Sequence, residues 1–133
     1  MQLIYNENVE LIYDPESFEL LQTWKGFVPS GLFREVIDTS LDFIRSNKVD
    51  LLISDTSRQK VISGNDAEYA ASVLDAMFTA GLFAMAFVLP QDVFTRFSLK
   101  KFADAGIDAD RVGYFNKIED ARKWGGFVKS AKG

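Results

Sequence analysis

The chain contains no cysteine and no histidine. Without cysteine there is no disulfide, no thiol nucleophile and no thiolate metal ligand. Without histidine there is no Ser-His-Asp triad and no imidazole ligand, and the side chain best suited to moving protons near neutral pH is missing. Any catalysis falls to Asp, Glu, Lys, Tyr, Ser or Thr. An enzyme built on carboxylates and Lys is therefore the least favoured of the readings, and no catalytic residues, no cofactor and no metal site are expected. Long apolar runs are also missing. The longest, "AGLFAMAFVLP" from Ala80 to Pro90, is about half of the roughly 20 residues a membrane helix needs, so no transmembrane segment is expected. Basic clusters are missing too. Lys100-Lys101 and Arg122-Lys123 are isolated pairs in a chain of formal net charge -4, and phosphate backbones require more than that. Nucleic acid is therefore not an expected partner. "MQLIYNENVE" has neither the basic segment nor the apolar length of a leader, which makes a cytoplasmic protein the expectation.

What is present is enough for a core. Of 133 residues, 47% are hydrophobic and 26% charged, the balance of an ordinary folded domain. No linker, repeat or low-complexity segment divides the chain, and a single domain over 1-133 is expected.

Three short apolar stretches open the sequence. "QLIY" and "VELIYD" read as strands joined by the turn Asn6-Glu7-Asn8, and Asp14-Pro15-Glu16 turns the chain into "FELLQTWKG". The period then changes. Ser30 stands where an N-cap belongs, and Leu32, Phe33, Val36, Ile37, Leu41 and Ile44 follow at helical spacing to about Asn47-Lys48. "VDLLISD" and "LFAMAFVLP" are apolar throughout, as interior parallel strands are. Between them Ser63 is an N-cap with Asp66 three residues on. Ala67, Ala70, Ala71, Leu74, Met77 and Phe78 make one helical face, and Gly81 ends it. A helical stretch from about Asp92, a strand "VGYF" and a last helix begun by Asn116 and Glu119 complete the order, with Ala121 and Trp124 on the buried face. The predicted class is α/β: a single-layer mixed sheet, an antiparallel meander and then parallel βαβ units, with helices packed on it.

Three stretches, "TWKGFVPSGLFREVIDTSLDFIRSNKVDLLISDTS", "VLPQDVFTRFS" and "YFNKIEDARKW", resemble the SpoIIAA-like group of STAS/SEC14-like domains over nearly the whole chain. The resemblance is one of apolar spacing. It implies a small regulatory module acting through protein contacts with an unknown partner or, on the SEC14-like side, a carrier of an apolar small molecule or lipid. In the anti-sigma-factor antagonists of that group a strand ends in Asp-Ser-Ser-Gly, whose first Ser is the phosphoacceptor. The matching positions are Asp55, Thr56, Ser57 and Arg58, with Arg in place of Gly. These four are the candidate regulatory or partner-binding residues. Read from the residues alone, they make a polar turn at the carboxyl end of a strand, at or near the surface.

Other candidates are weighed beside them. Trp24 and Trp124 are pocket residues or core, and the three methionines are gap fillers. Asp104, Asp108 and Asp110 lack the spacing of a calcium loop. "SGNDAE" is a helix start and not a nucleotide loop. Val93, Phe94 and Phe97 fall on one side of a helix, and Leu99, Phe102 and Ala103 on nearly the opposite side. That pattern implies a break near Ser98, or an apolar contact face for a homodimer or ligand.

Overall fold

The computed structural model describes residues 1-60, 63-93 and 111-132, with side chains to residue 128. Strands β1 (Gln2–Tyr5), β2 (Val9–Asp14) and β3 (Glu19–Gly26) form the antiparallel meander. Strands β4 (Leu51–Gln59), β5 (Ala84–Val88) and β6 (Val112–Phe115) continue the same sheet in parallel, so the six strands lie in chain order. Three described helices pack on it: α1 (Ser30–Ser46), α2 (Gly64–Thr79) and α3 (Ile118–Lys132). The α/β class and the mixed sheet are as the sequence predicts, and β4 and β5 are adjacent, parallel and largely buried.

The turns follow their side chains. Asn6 Oδ1 accepts hydrogen bonds from the Asn8 and Val9 amides at 2.9 Å each, closing the first turn. Asp14 Oδ1 accepts from the Glu16 amide in the second. Gly81, at φ 120°, ends α2 in a conformation that residues with a Cβ rarely adopt.

Each face of the sheet has its own core. Leu20, Trp24, Leu52 and Met85 point to the face covered by α1 and α2, where Phe33, Val36, Ile37, Ile44, Val73 and Met77 meet them. Leu51, Ile53, Ala84, Ala86 and Val88 point the other way, against Ala121, with Trp124 half-buried beside them. Alternation along each strand sorts the side chains in this way, and fully burying one Leu or Ile contributes about 1.5–3 kcal/mol.

Ser30 does not cap α1. The N-cap position is Pro29, with no side-chain hydrogen bond, and the Ser30 hydroxyl instead donates to Asp66 Oδ1 at 2.6 Å. Arg34 Nε reaches the same oxygen at 3.0 Å, and the Asp66 amide is held by the Ser63 hydroxyl, the cap that was predicted. The Ser30 hydrogen bond, then Arg34, hold the Asp66 carboxyl below the usual carboxylate range. Arg34 also lies over the Tyr69 ring, and the Tyr69 hydroxyl donates to Asp38. A polar clamp therefore fixes α1 against the first turns of α2. Burial of a charged Asp at the head of a helix is tolerable because every donor around it is aimed at it.

Candidate ligand-binding site

Asp55, Thr56 and Ser57 are not a turn. They continue β4, which runs on to Gln59. Thr23 pairs with Asp55 and Lys25 with Arg58, so Trp24 alone stands opposite both Thr56 and Ser57. This is a β-bulge, one extra residue in the strand. Asp55 is 6% exposed rather than at the surface. Its Oδ1 accepts from the Ser57 amide at 3.0 Å and the Ser57 hydroxyl at 2.6 Å, which holds the bulge closed. The last β4–β5 pair is Asp55 with Val88. Just beyond it the Thr56 hydroxyl donates to the Val88 carbonyl at 2.8 Å, an acceptor at the end of the ladder. From the residues alone the polar triplet reads as a turn, because Asp, Thr and Ser have the chemistry of turns. Here that chemistry serves a bulge, and pairing with β3 keeps the backbone extended. Arg58 is exposed.

The bulge changes what the end of β4 presents. Regular alternation from Leu52 through Ser54 and Thr56 would aim Arg58 at the α1/α2 side. The extra residue aims Gln59 there instead, and Gln59 lines a cavity between the sheet and those helices.

That cavity holds about 300 Å³. Its floor is Gln22 and Trp24 of β3, Leu52, Ser54, Thr56 and Gln59 of β4, Met85 and Phe87 of β5, and Tyr114 of β6. Phe33 and Ile37 of α1 and the α2 face of Ala67, Ala70, Ala71, Leu74 and Met77 close it from above. The lining named among the described residues carries no charge. Ala67 and Ala71 are exposed, while Ala70 is half-buried and packs against the edge of the core, so the predicted helical face is only partly buried and borders this space. Of the two tryptophans, Trp24 lines the cavity and is itself buried against Phe33.

Most polar groups on the floor have partners. Trp24 Nε1 donates to Ser54 Oγ at 3.0 Å, and Gln22 Nε2 to Ser40 Oγ at 2.9 Å. Ser40 in turn donates to the Val36 carbonyl, as a serine inside a helix commonly does. Tyr114 stacks on Phe87 with ring centres 5.4 Å apart, and burial raises its phenol pKa further above the ordinary value. Gln59 Nε2 is buried and has no hydrogen-bond partner among the described residues.

A second, polar cleft of about 390 Å³ lies at the α3 side, between Asp14, Ser17, Glu19, Asp50 and Arg122. Arg122 Nε and Nη2 donate to the two carboxylate oxygens of Glu19 at 2.9 and 3.0 Å, a bidentate pair that ties α3 to β3. The Glu19 bond raises the Arg122 pKa, and the Glu16 amide with Ser17 lowers that of Asp14. A general acid needs a raised carboxyl pKa, and Asp14 and Asp66 are both lowered. Among the described residues no group of three or more acidic side chains is placed to hold a metal ion, and no helix is long and apolar enough to cross a membrane.

Val93 is half-buried, in a helical turn with Gln91 and Asp92. Phe94, Phe97, the break near Ser98 and Asp104, Asp108 and Asp110 lie outside the described residues. The sequence reading missed Gln22, Ser54 and Gln59. Gln22 was accessible to it, since alternation in "ELLQTWKG" sets Leu20, Gln22 and Trp24 on one face. Gln59 was not, because its direction depends on the bulge. Compared with known proteins, the chain matches no family model, no curated protein and no solved structure.

Proposed function

We propose that this chain is a non-enzymatic binding module of the SpoIIAA-like STAS/SEC14 type whose ligand is an apolar small molecule held between the sheet and α2. The single observation that carries this reading is the cavity beside Trp24, roofed by Ala67, Ala70 and Ala71, whose lining among the described residues carries no charge. Its volume is at the small end of the range typical of ligand pockets, and its few polar groups sit among apolar walls as they do in such sites. The α/β sheet supports the resemblance, and the pairing of Glu19 with Arg122 gives the polar cleft a structural role.

The test is uptake of a neutral apolar probe. Ethylbenzene should bind the full chain one to one in equilibrium dialysis, and Ala70→Phe, which fills the cavity, should abolish binding while circular dichroism stays unchanged. Absence of saturable uptake by the wild-type chain would remove the reading. Extraction of the protein purified from its own cells, followed by mass spectrometry, would then identify the natural ligand.

A second reading, protein contact, is favoured by two aromatic side chains held out in solvent: Phe127 of α3, 73% exposed, and Phe27 after β3, 67% exposed. Capture of a partner that depends on Phe127, and is lost in Phe127→Ser, would support it. On this reading Arg58, exposed beside the bulge, is the most accessible of the four residues proposed for partner binding.

A further inference from the structure

We infer that the ligand is a flat aromatic ring with an uncharged hydrogen-bond acceptor at its edge, that the ring rests on Phe87 above Ser54, and that the Ser54 hydroxyl holds the acceptor. The inference rests on the cavity being a ligand site and adds which chemistry that site selects.

The sheet register makes the place. Ser54 pairs with Phe87, and Phe87 with Tyr114, so the three cross the sheet in one row, and all line the cavity. Phe87 and Tyr114 stack with ring planes 11° apart and centres 5.4 Å apart, close to the spacing of about 4.8 Å between neighbouring strands. One further step along the row, away from Tyr114, arrives over Ser54. The side chain there is a single hydroxymethyl group, and among the described residues Tyr114 is the only ring stacked on Phe87. The other face of the Phe87 ring is therefore open above Ser54. A ligand ring set parallel to Phe87 continues the stack by one member, and such pairs contribute beyond the area they bury.

Ser54 supplies the polar contact. It is 5% exposed, and its backbone is paired with strands on both sides, so the surface it keeps belongs to the side chain. Its Oγ accepts the Trp24 indole hydrogen at 3.0 Å, which commits one lone pair and leaves the hydroxyl hydrogen to point elsewhere. Among the described residues that hydrogen meets no acceptor. A hydroxyl that already accepts a hydrogen bond is a stronger donor for it. A ligand acceptor completes the chain from Trp24 through Ser54, and sites built to bond a polar group reject the analogue that lacks it. Tyr114 stands on the far side of Phe87, so its hydroxyl does not meet a ring lying over Ser54. None of the lining residues named is Lys or Arg, so a carboxylate or phosphate inside would be an unpaired charge in apolar surroundings. The acceptor is therefore neutral, as a ketone, ester or amide oxygen is.

The experiment uses a matched pair of probes, acetophenone and ethylbenzene, which differ in having a carbonyl or a methylene beside the ring. Dissociation constants are measured by equilibrium dialysis for the wild-type chain and Ser54→Ala. Acetophenone should gain on ethylbenzene by about fivefold in the wild type relative to the variant, the worth of one hydrogen bond. Equal ratios in the two chains, with both probes binding, would overturn the role of Ser54 and leave the cavity as an apolar site without this selectivity. Binding of neither probe to the wild type would overturn the cavity reading and this one with it. Two readouts use the wild-type chain alone, in case Ser54→Ala misfolds once Trp24 loses its acceptor. The carbon-13 resonance of carbonyl-labelled acetophenone should move downfield of its position in hexane on binding, and a carbonyl that stays at the hexane position would sink the hydrogen bond. Nuclear Overhauser effects should join the ring protons of both probes to the Phe87 ring. Effects confined to the α2 methyl groups, with none to Phe87, would overturn the stacked placement.

Discussion

The two faces of the sheet use the same small residues to opposite effect. On the α3 face, Ala84, Ala86 and Ala121 are fully buried, and Gly125 brings the helix so close that a Cβ there would stand 2.6 Å from a Leu51 methyl. Small side chains let backbones approach and leave no room. On the other face, Ala67, Ala70 and Ala71 of α2 look across at Trp24, Leu52 and Met85, and the gap stays open. The difference lies in what sets each helix's position. α3 is drawn down by packing and by the Glu19–Arg122 pair. α2 is held at its first turns by the clamp of Asp66 with Ser30 and Arg34, and further along by Val73 and Met77. Tyr69 adds to the clamp on the α1 side, so along Ala67, Ala70 and Ala71 the helix carries only methyl groups toward the sheet, and the missing side-chain volume becomes a cavity.

The largest break in this comparison is Ile53→Asp. Ile53 is fully buried on the close-packed face and lines neither cavity. An unpaired carboxylate there costs several kcal/mol, comparable with the roughly 5–15 kcal/mol that holds a domain together. The variant should be unfolded by far-ultraviolet circular dichroism, and a native spectrum with an unchanged urea midpoint would show that the α3 face is not packed as described. Next in size is Ala121→Leu. Three added heavy atoms meet Ala84, Ala86 and Ile53 with nowhere to go, and overpacking of this kind costs about 1–3 kcal/mol. The urea midpoint should fall accordingly.

Much of this was legible in the sequence. The period-two and helical stretches placed β1, β2 and β6 to the residue, because binary pattern and turn chemistry agree there. The parallel pairing of "DLLIS" with "FAMAFVL" follows from their apolar character and the helical segment between them. The site was less legible. Ala67, Ala70 and Ala71 have the spacing of a core face, and nothing local distinguishes a face that packs from one that borders a cavity. Asp55-Thr56-Ser57 misled for a related reason. The same hydroxyl and carboxylate chemistry closes turns, caps helices and pins bulges, and the neighbouring strand decides which. Ser30 went to Asp66, 36 residues away, a choice that tertiary contact makes.

A smaller effect tests whether Thr56 is structural. Thr56→Val keeps the branched shape and removes the hydroxyl that satisfies the Val88 carbonyl. The expected loss is about 1 kcal/mol in chemical denaturation, with ethylbenzene binding retained. The hydroxyls of Thr56 and Ser57 both donate inside the protein, so a regulated phosphoacceptor here would first have to leave its bond. No loss of stability in Thr56→Val would return the hydroxyl to the pool of free sites.

The smallest effect on stability is the sharpest test of the comparison. Ala70→Leu makes on the open face the same change as Ala121→Leu on the closed one. Helix propensities of Ala and Leu are close, so the backbone contributes little. The added side chain enters the cavity against Leu74, Met77 and Phe87, where it gains contacts and displaces nothing. Filling such a space commonly stabilises by about 0.5–2 kcal/mol, less here because Ala70 is only half-buried. The urea midpoint should therefore stay level or rise slightly, while ethylbenzene binding weakens. Opposite signs of the two Ala→Leu changes would establish that one face is full and the other vacant. If Ala70→Leu destabilises as much as Ala121→Leu does, the faces are alike, and the cavity between the sheet and α2 is not a space that a ligand can occupy.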